Sequence, residues 1–343
     1  MTGSRRGGML QRGETMPLDA PKLAKRRLDR SALVGSCILL LAGVSPAAPI
    51  VAAAQEPDGL QEIVVTAREP RFVAPTLRDR IGRIWAPVFI NGQGPFKLVL
   101  DTGASHSGVT EMVASTLRIP LDQSPPVVMH GVTGTGTVPS IHVATLNVGE
   151  LDMASELLPI LPDAFGGAQG ILGSEGLANK RIFIDFRRDR ILITYSRGER
   201  SERGFLAVPF HSVRGALIVI EVTIGGVRTK AIIDTGGQVT IGNLALKAEL
   251  LRSSGQRGGE IDAIQGATLD VEEGVLAATP PISVGRIVIR DSRVTFADMA
   301  IFKQWQLTHE PALIIGMDVI GLLDALVIDY RRHELQIRTA DSL

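Results

Sequence analysis

Two aspartates in this chain share one local setting. Asp101 lies in LVLDTGAS, Leu98 to Ser105, and Asp234 lies in AIIDTGGQ, Ala231 to Gln238. Taken singly, apolar-apolar-Asp-Thr-Gly reads as a turn that closes a strand. Two copies in equivalent places of a repeated domain allow more. Carboxyl groups brought within hydrogen-bond reach cannot both ionise cheaply, so they share a proton and titrate as a pair. The ionised partner can then take a proton from a bound water while the protonated partner polarises a carbonyl.

The elements that must hold such a pair repeat as well. INGQGPFKLVLDTG (Ile90–Gly103) matches IGGVRTKAIIDTG (Ile224–Gly236), QGILGSEGL (Gln169–Leu177) matches ALIIGMDVI (Ala312–Ile320), and IDFRRDRILI (Ile184–Ile193) matches IDYRRHELQI (Ile328–Ile337). The order is kept, and the offset grows by about ten residues before the last two landmarks. Two copies of one domain can fold as a pseudo-dimer whose equivalent loops meet at a local two-fold axis. WAPVFI, FKLVL, RIFIDF and RILITY have the apolar, β-branched character of strands. Helices are expected at Thr110–Leu117 and Asn243–Arg252, one after each DTG.

With its two DTG segments and the later Ile171-Leu172-Gly173 and Ile314-Ile315-Gly316, the chain resembles the retropepsin-like aspartic proteases in their bacterial single-chain, two-lobe form. The resemblance covers roughly residues 84–338 and implies a mostly β, bilobal, closed acid-protease fold with few short helices. It implies that Asp101 and Asp234 form a catalytic pair acting on a polypeptide through water, with no cofactor or metal. Thr102 and Thr235 would cross-bond beneath them, and Gly103 and Gly236 would let the tight loops form. A flap is implied too. MHGVTGTGTV (Met129–Val138) fits it, with Gly131, Gly134 and Gly136 expected to give mobility; an ordinary glycine-rich hairpin is the alternative. DAIQGATL (Asp262–Leu269) occupies the matching place in the second copy. The second motif departs from the family by carrying Gly237 where the first has Ala104, which puts the rigidity of that loop in question.

The expected organisation is a signal peptide over 1–54, an extended arm over 55–81, a first lobe over 82–196, a linker over 197–204 and a second lobe over 205–343. Residues 31–54 carry no charge, follow a basic stretch and end in small residues suited to cleavage after Ala54. An uncleaved anchor is the alternative, although the apolar run is short for a membrane span. Cleavage implies export, a periplasmic location and no remaining span. Cys37 is the only cysteine and falls within this leader, so the remainder has no disulfide, thiol nucleophile or cysteine–zinc site. Residues 55–343 hold 28 basic and 33 acidic residues, a mildly acidic body that argues against a nucleic-acid partner.

Within the arm, Glu62, Ile63, Val64, Val65, Thr66 and Ala67 resemble a TonB box, a segment that binds by strand addition. The implied partner is the TonB C-terminal domain. An edge strand of the first lobe or of the interlobe sheet suits the same residues. A TonB-linked regulator and a non-catalytic peptide-binding module therefore stand as alternative functions. The six histidines show no metal-ligand spacing, and Ser105 lacks the context of a serine nucleophile.

Overall fold

The computed structural model describes residues 63–66, 82–163, 165–213, 217–254 and 259–340. The leader, and most of the arm including Glu62 and Ala67, lie outside the described residues. The chain is mostly β, in two lobes.

Strand β1 (Ile63–Thr66) precedes the first lobe. That lobe contains β2 (Trp85–Ile90), β3 (Gln93–Leu100), β4 (Gly108–Thr110) and helix α1 (Glu111–Leu117). The hairpin β5 (Val127–His130) and β6 (Thr135–Val138) follows, then β7 (Ser140–Val148), β8 (Leu151–Leu161) and β9 (Gly170–Leu172). Strands β2, β3, β9, β4, β8 and β7 close into a barrel. Alternation drives the closure: Ala86, Val88 and Ile90 of β2 point into the core while the residues between them are less buried.

Next come β10 (Lys180–Asp185), β11 (Arg190–Tyr195) and, after the charged connection, β12 (Leu206–Pro209). The second lobe runs through β13 (His211–Val213), β14 (Leu217–Ile224), β15 (Val227–Ile233), β16 (Ile241–Gly242) and α2 (Leu244–Ser254). It continues with β17 (Glu260–Gln265), β18 (Val271–Ala278), β19 (Ile282–Val284), β20 (Ile287–Arg290) and β21 (Arg293–Phe296). Helix α3 (Ala300–Gln304), β22 (Ala312–Ile315), α4 (Met317–Ile320), β23 (Ala325–Asp329) and β24 (Glu334–Arg338) complete it.

The duplication is visible in register. In the first lobe β9 runs parallel to β3, with Leu100 beside Leu172; in the second β22 runs parallel to β15, with Ile233 beside Ile315. Strand β4 pairs antiparallel with β9 and parallel with β8, and β16 repeats this with β22 and β21. The growing sequence offset has a structural cause: α3 and its following loop lie between β21 and β22, where the first lobe has only a short connection between β8 and β9.

A five-stranded sheet, ordered β11-β10-β23-β24-β12, ties the lobes together. Its central pair is antiparallel, Ile182 opposite Ile328 and Ile184 opposite Leu326, all buried. The paired arginines of the two RR turns do more than face water. Arg187 bonds Asp324, Arg188 bonds Asp185, and Arg331 and Arg332 donate to the carbonyls of Ser196 and Gly198 at the start of the connection between lobes.

Strand β1 pairs parallel with β20, Ile63 beside Ile287 through Thr66 beside Arg290. It is an edge strand, but of the second lobe's sheet, neither of the first lobe nor of the interlobe sheet expected for it.

Candidate active site

Each aspartate ends a buried strand whose parallel neighbour fixes its backbone. The Asp101 amide donates to the Leu172 carbonyl at 2.9 Å, and the Asp234 amide to Ile315 at 3.0 Å. The apolar residues before DTG and before the later glycine are therefore one device: two adjacent strands that must be apolar because both are buried. Beyond each Asp the chain turns back over the carboxylate. Gly103 and Ala104 donate to Asp101 Oδ1 at 2.9 and 3.0 Å, and Gly236 and Gly237 donate to Asp234 Oδ1 at 2.9 Å each. Gly237 thus makes the same bond as Ala104, and the loop keeps its geometry despite the departure seen in sequence.

Beneath the carboxyls the threonines interlock. Thr102 Oγ1 donates to the Ile233 carbonyl at 2.6 Å, and Thr235 Oγ1 donates to Leu100 at 2.7 Å. Each hydroxyl also accepts the other threonine's amide, at 3.1 and 3.2 Å. Both side chains are buried, so every bond here replaces one that water would otherwise supply.

Above them the two carboxyl groups are brought together, each lying against the glycine of the other motif. Both are raised from the ordinary carboxylate range, chiefly by burial. Asp101 is held well above it, with the Asp234 charge and the bond to Asp234 adding to burial. For Asp234, the amides of Gly236 and Gly237 and the bond to Asp101 oppose burial. Two adjacent buried carboxyls cannot both ionise cheaply, so the pair holds one shared proton and titrates as a unit. Asp234 is 6% exposed, whereas Asp101 keeps an intermediate exposure.

The motif glycines serve this contact directly. A β-carbon on Gly103 would lie 2.7 Å from Asp234 Cγ, and one on Gly236 would overlap the Asp101 carboxyl. Neither glycine has a left-handed φ, so close approach, and not backbone freedom, is what requires glycine.

The hairpin β5–β6 carries Gly131, Gly134 and Gly136. Its tip does not stand free. Thr133 is buried and donates to the Asp270 carbonyl at 2.9 Å, and the α3 amide of Ile301 donates to Val132 at 3.2 Å. A β-carbon on Gly134 would overlap the Asp270 carboxylate, and one on Gly266 would overlap the Thr133 hydroxyl. Gly134 and Gly266 let the two hairpin tips interlock, a β-carbon on Gly131 would lie 3.2 Å from Thr268, and one on Gly136 would meet nothing nearer than 4.0 Å; none of Gly131, Gly134 and Gly136 has positive φ.

Three groups behind the dyad escape the motif reading. Buried Arg83 donates to the Gly236 carbonyl at 3.3 Å, lies over the Phe165 ring, and its charge lowers both aspartates. Glu175 accepts the Ser107 amide at 2.6 Å; Asp318 accepts the amide and hydroxyl of Thr240 at 2.9 and 2.7 Å. Burial raises both carboxyls. The repeat held the signal for this pair, since each acid stands two residues after the motif glycine, in GSE and GMD. His106 is exposed and bonds Ser105, so neither reaches the dyad by a hydrogen bond. Among the described residues no group of three or more His, Cys, Asp or Glu could hold a metal ion.

Two β lobes that each lend one Asp-Thr-Gly loop to a shared carboxyl pair define the bilobal acid-protease class. Residues 86–179 match a family described as gag-polyprotein putative aspartyl protease, and residues 220–319 match one described as aspartyl protease. Together the matches span more than half of the chain, which belongs to the retropepsin-like aspartyl proteases, with two domains in tandem. A search of curated proteins returned no significant match.

Proposed function

We propose that the protein is an aspartic endopeptidase whose catalytic groups are Asp101 and Asp234. The observation that carries this reading is the meeting of the two carboxyls, each set against the glycine of the opposite motif and oriented by two backbone amides. The ionised carboxyl of the pair removes a proton from a water lodged between the two. Its protonated partner gives its proton to the substrate carbonyl oxygen as the water attacks. The resulting tetrahedral species collapses as a proton passes to the leaving amine, with no covalent enzyme intermediate. Thr102, Gly103, Thr235 and Gly236 hold the loops, and the β5–β6 hairpin closes over an extended polypeptide.

The leader directs export to the periplasm, with cleavage after Ala54, and the substrate is a periplasmic or membrane-associated polypeptide. Among the described residues, no helix is long and apolar enough to cross a membrane. The Ile63–Thr66 segment pairs with β20, so binding to the TonB C-terminal domain would require it to leave that edge.

Asp101→Asn and Asp234→Asn, assayed separately against a peptide library, test the catalytic reading. Each is expected to lower kcat/KM by at least about 1,000-fold. Cleavage by either variant at the wild-type rate would overturn it.

A further inference from the structure

A cavity of about 590 Å³ lies under the β5–β6 hairpin. The β5–β6 hairpin, the start of α1, the end of β8 and the tip of the β17–β18 hairpin enclose it. Its volume is in the range of small-molecule sites and exceeds what one side chain fills. Met112, Leu121, Met129, Ile160, Leu161 and Leu269 make its surface mainly apolar. Met112 and Leu269 are exposed, at 57% and 48%, although both are large and apolar. Exposed apolar surface gathered in a concavity marks a place where something binds.

The cavity connects to the Asp101 loop through shared packing. Leu161 forms one buried cluster with Val99 and Ile171, which lie on the strands leading to Asp101 and to Gly173. Ala104, Met129 and Ala267 pack on that same cluster, and Met129 and Ala267 also line the cavity. The cavity lining and the Asp101 loop thus pack on one buried cluster. An extended substrate held beneath the hairpin would direct a side chain into it.

The charge of the lining narrows which side chain. Among the described residues, Glu111 and Asp163 are the only charged ones that line it; both are exposed, and no described arginine, lysine or histidine joins them. Neither carboxylate has an ion pair among the described residues. A neutral aliphatic side chain would satisfy the apolar wall and leave both charges unanswered. A lysine or arginine side chain lays its methylenes along apolar surface and keeps its charged head near water. That form matches an apolar wall carrying two exposed carboxylates.

We propose that this cavity is a specificity pocket for a lysine or arginine side chain of the substrate, with Glu111 and Asp163 selecting the charge. The inference rests on the aspartic endopeptidase reading and adds a substrate class to it: polypeptides with a basic residue at one fixed position from the scissile bond. The mildly acidic body suits such substrates, since a negative field raises the rate at which they arrive.

The test compares the wild-type chain with the double variant Glu111→Gln/Asp163→Asn. Both residues are exposed, so the exchange should leave the fold intact. Peptides differing only in lysine, arginine or norleucine at each position are assayed for cleavage. Their binding is measured in parallel to the full chain carrying Asp101→Asn, with and without the double exchange. At one position the basic peptides should be favoured over norleucine by about tenfold, and the double variant should reduce that to about twofold. Equal binding of basic and norleucine peptides at every position, or a preference that survives the double exchange, would overturn the proposal. If the wild type cleaves nothing, the endopeptidase reading fails, and binding alone still decides the pocket.

Discussion

Gly236 faces Asp101 across the boundary between lobes so closely that a β-carbon on the glycine would overlap the aspartate's carboxyl group. Gly103 has the same relation to Asp234, at 2.7 Å. The glycine of each motif is dictated by the aspartate of the other. Gly236→Ala should therefore push the Asp101 carboxyl off its partner. A displacement of about 1 Å at a reacting group costs roughly 100-fold, and the loss should appear in kcat. Stability should fall by about 1–3 kcal/mol, as for other overpacked sites. A variant with unchanged kcat would show that the two loops can separate without harm.

The threonine interlock separates hydroxyl chemistry from side-chain shape. Thr102→Val keeps the volume but removes the donor to Ile233 and the acceptor for the Thr235 amide. Two buried backbone groups are then left unpaired, at about 1–3 kcal/mol each. Thermal denaturation should show a loss of several degrees for Thr102→Val and a much smaller one for Thr102→Ser, which retains the hydroxyl. Equal losses would place the effect in packing.

Acid should stabilise this fold over a defined range. Asp101, Asp234, Glu175 and Asp318 all bind protons more tightly when folded, because burial disfavours their charged forms. Wherever the folded chain holds more protons than the unfolded one, stability falls as pH rises. The decline begins at the ordinary carboxylate range and ends above the raised values; below that range these four groups contribute no slope. Melting temperature should therefore drop between mildly acidic and mildly alkaline buffer. Glu175→Gln should flatten the slope, because the amide still accepts from Ser107 but carries no charge, and Glu175 Oε2 has no partner to lose. An unchanged slope would remove Glu175 from this account.

The hairpin contact can be probed through its glycines. Gly266→Ala would drive a methyl into the hydroxyl of buried Thr133 and within 3.1 Å of its amide. Gly136→Ala would meet only Thr268 Cγ2, at 4.0 Å. Hydrogen exchange over residues 127–138 should accelerate in the first variant and stay near wild type in the second. Acceleration in both would mean that backbone freedom, and not tip contact, governs this hairpin.

Much of the site was legible before any coordinates, for a local reason. Asp101 and Asp234 are marked by what lies immediately around them, and Leu100–Leu172 and Ile233–Ile315 are marked by apolar runs that only buried parallel strands need. The repeat supplied the pairing, because equivalent residues of a duplicated domain meet at a two-fold axis. Arg83 carried no such mark. It precedes β2, has no counterpart in the motifs, and matters because the fold lays its guanidinium on the Gly236 carbonyl. Strand β1 shows the same limit: Ile-Val-Val-Thr suits a strand-adding segment or an edge strand, and it does not say which edge.

By itself the sequence determined the two-lobe duplication, the mostly β class and the identity of the paired aspartates, since each follows from short-range pattern and its recurrence. The tertiary structure alone decided that Gly103 and Gly236 make room for the opposite carboxyl. It also decided that α3, present in one lobe only, receives the tip of the other lobe's hairpin. The physical reason is common to both: contact between residues far apart in the chain depends on how closely two surfaces approach, and spacing along the chain does not encode that distance.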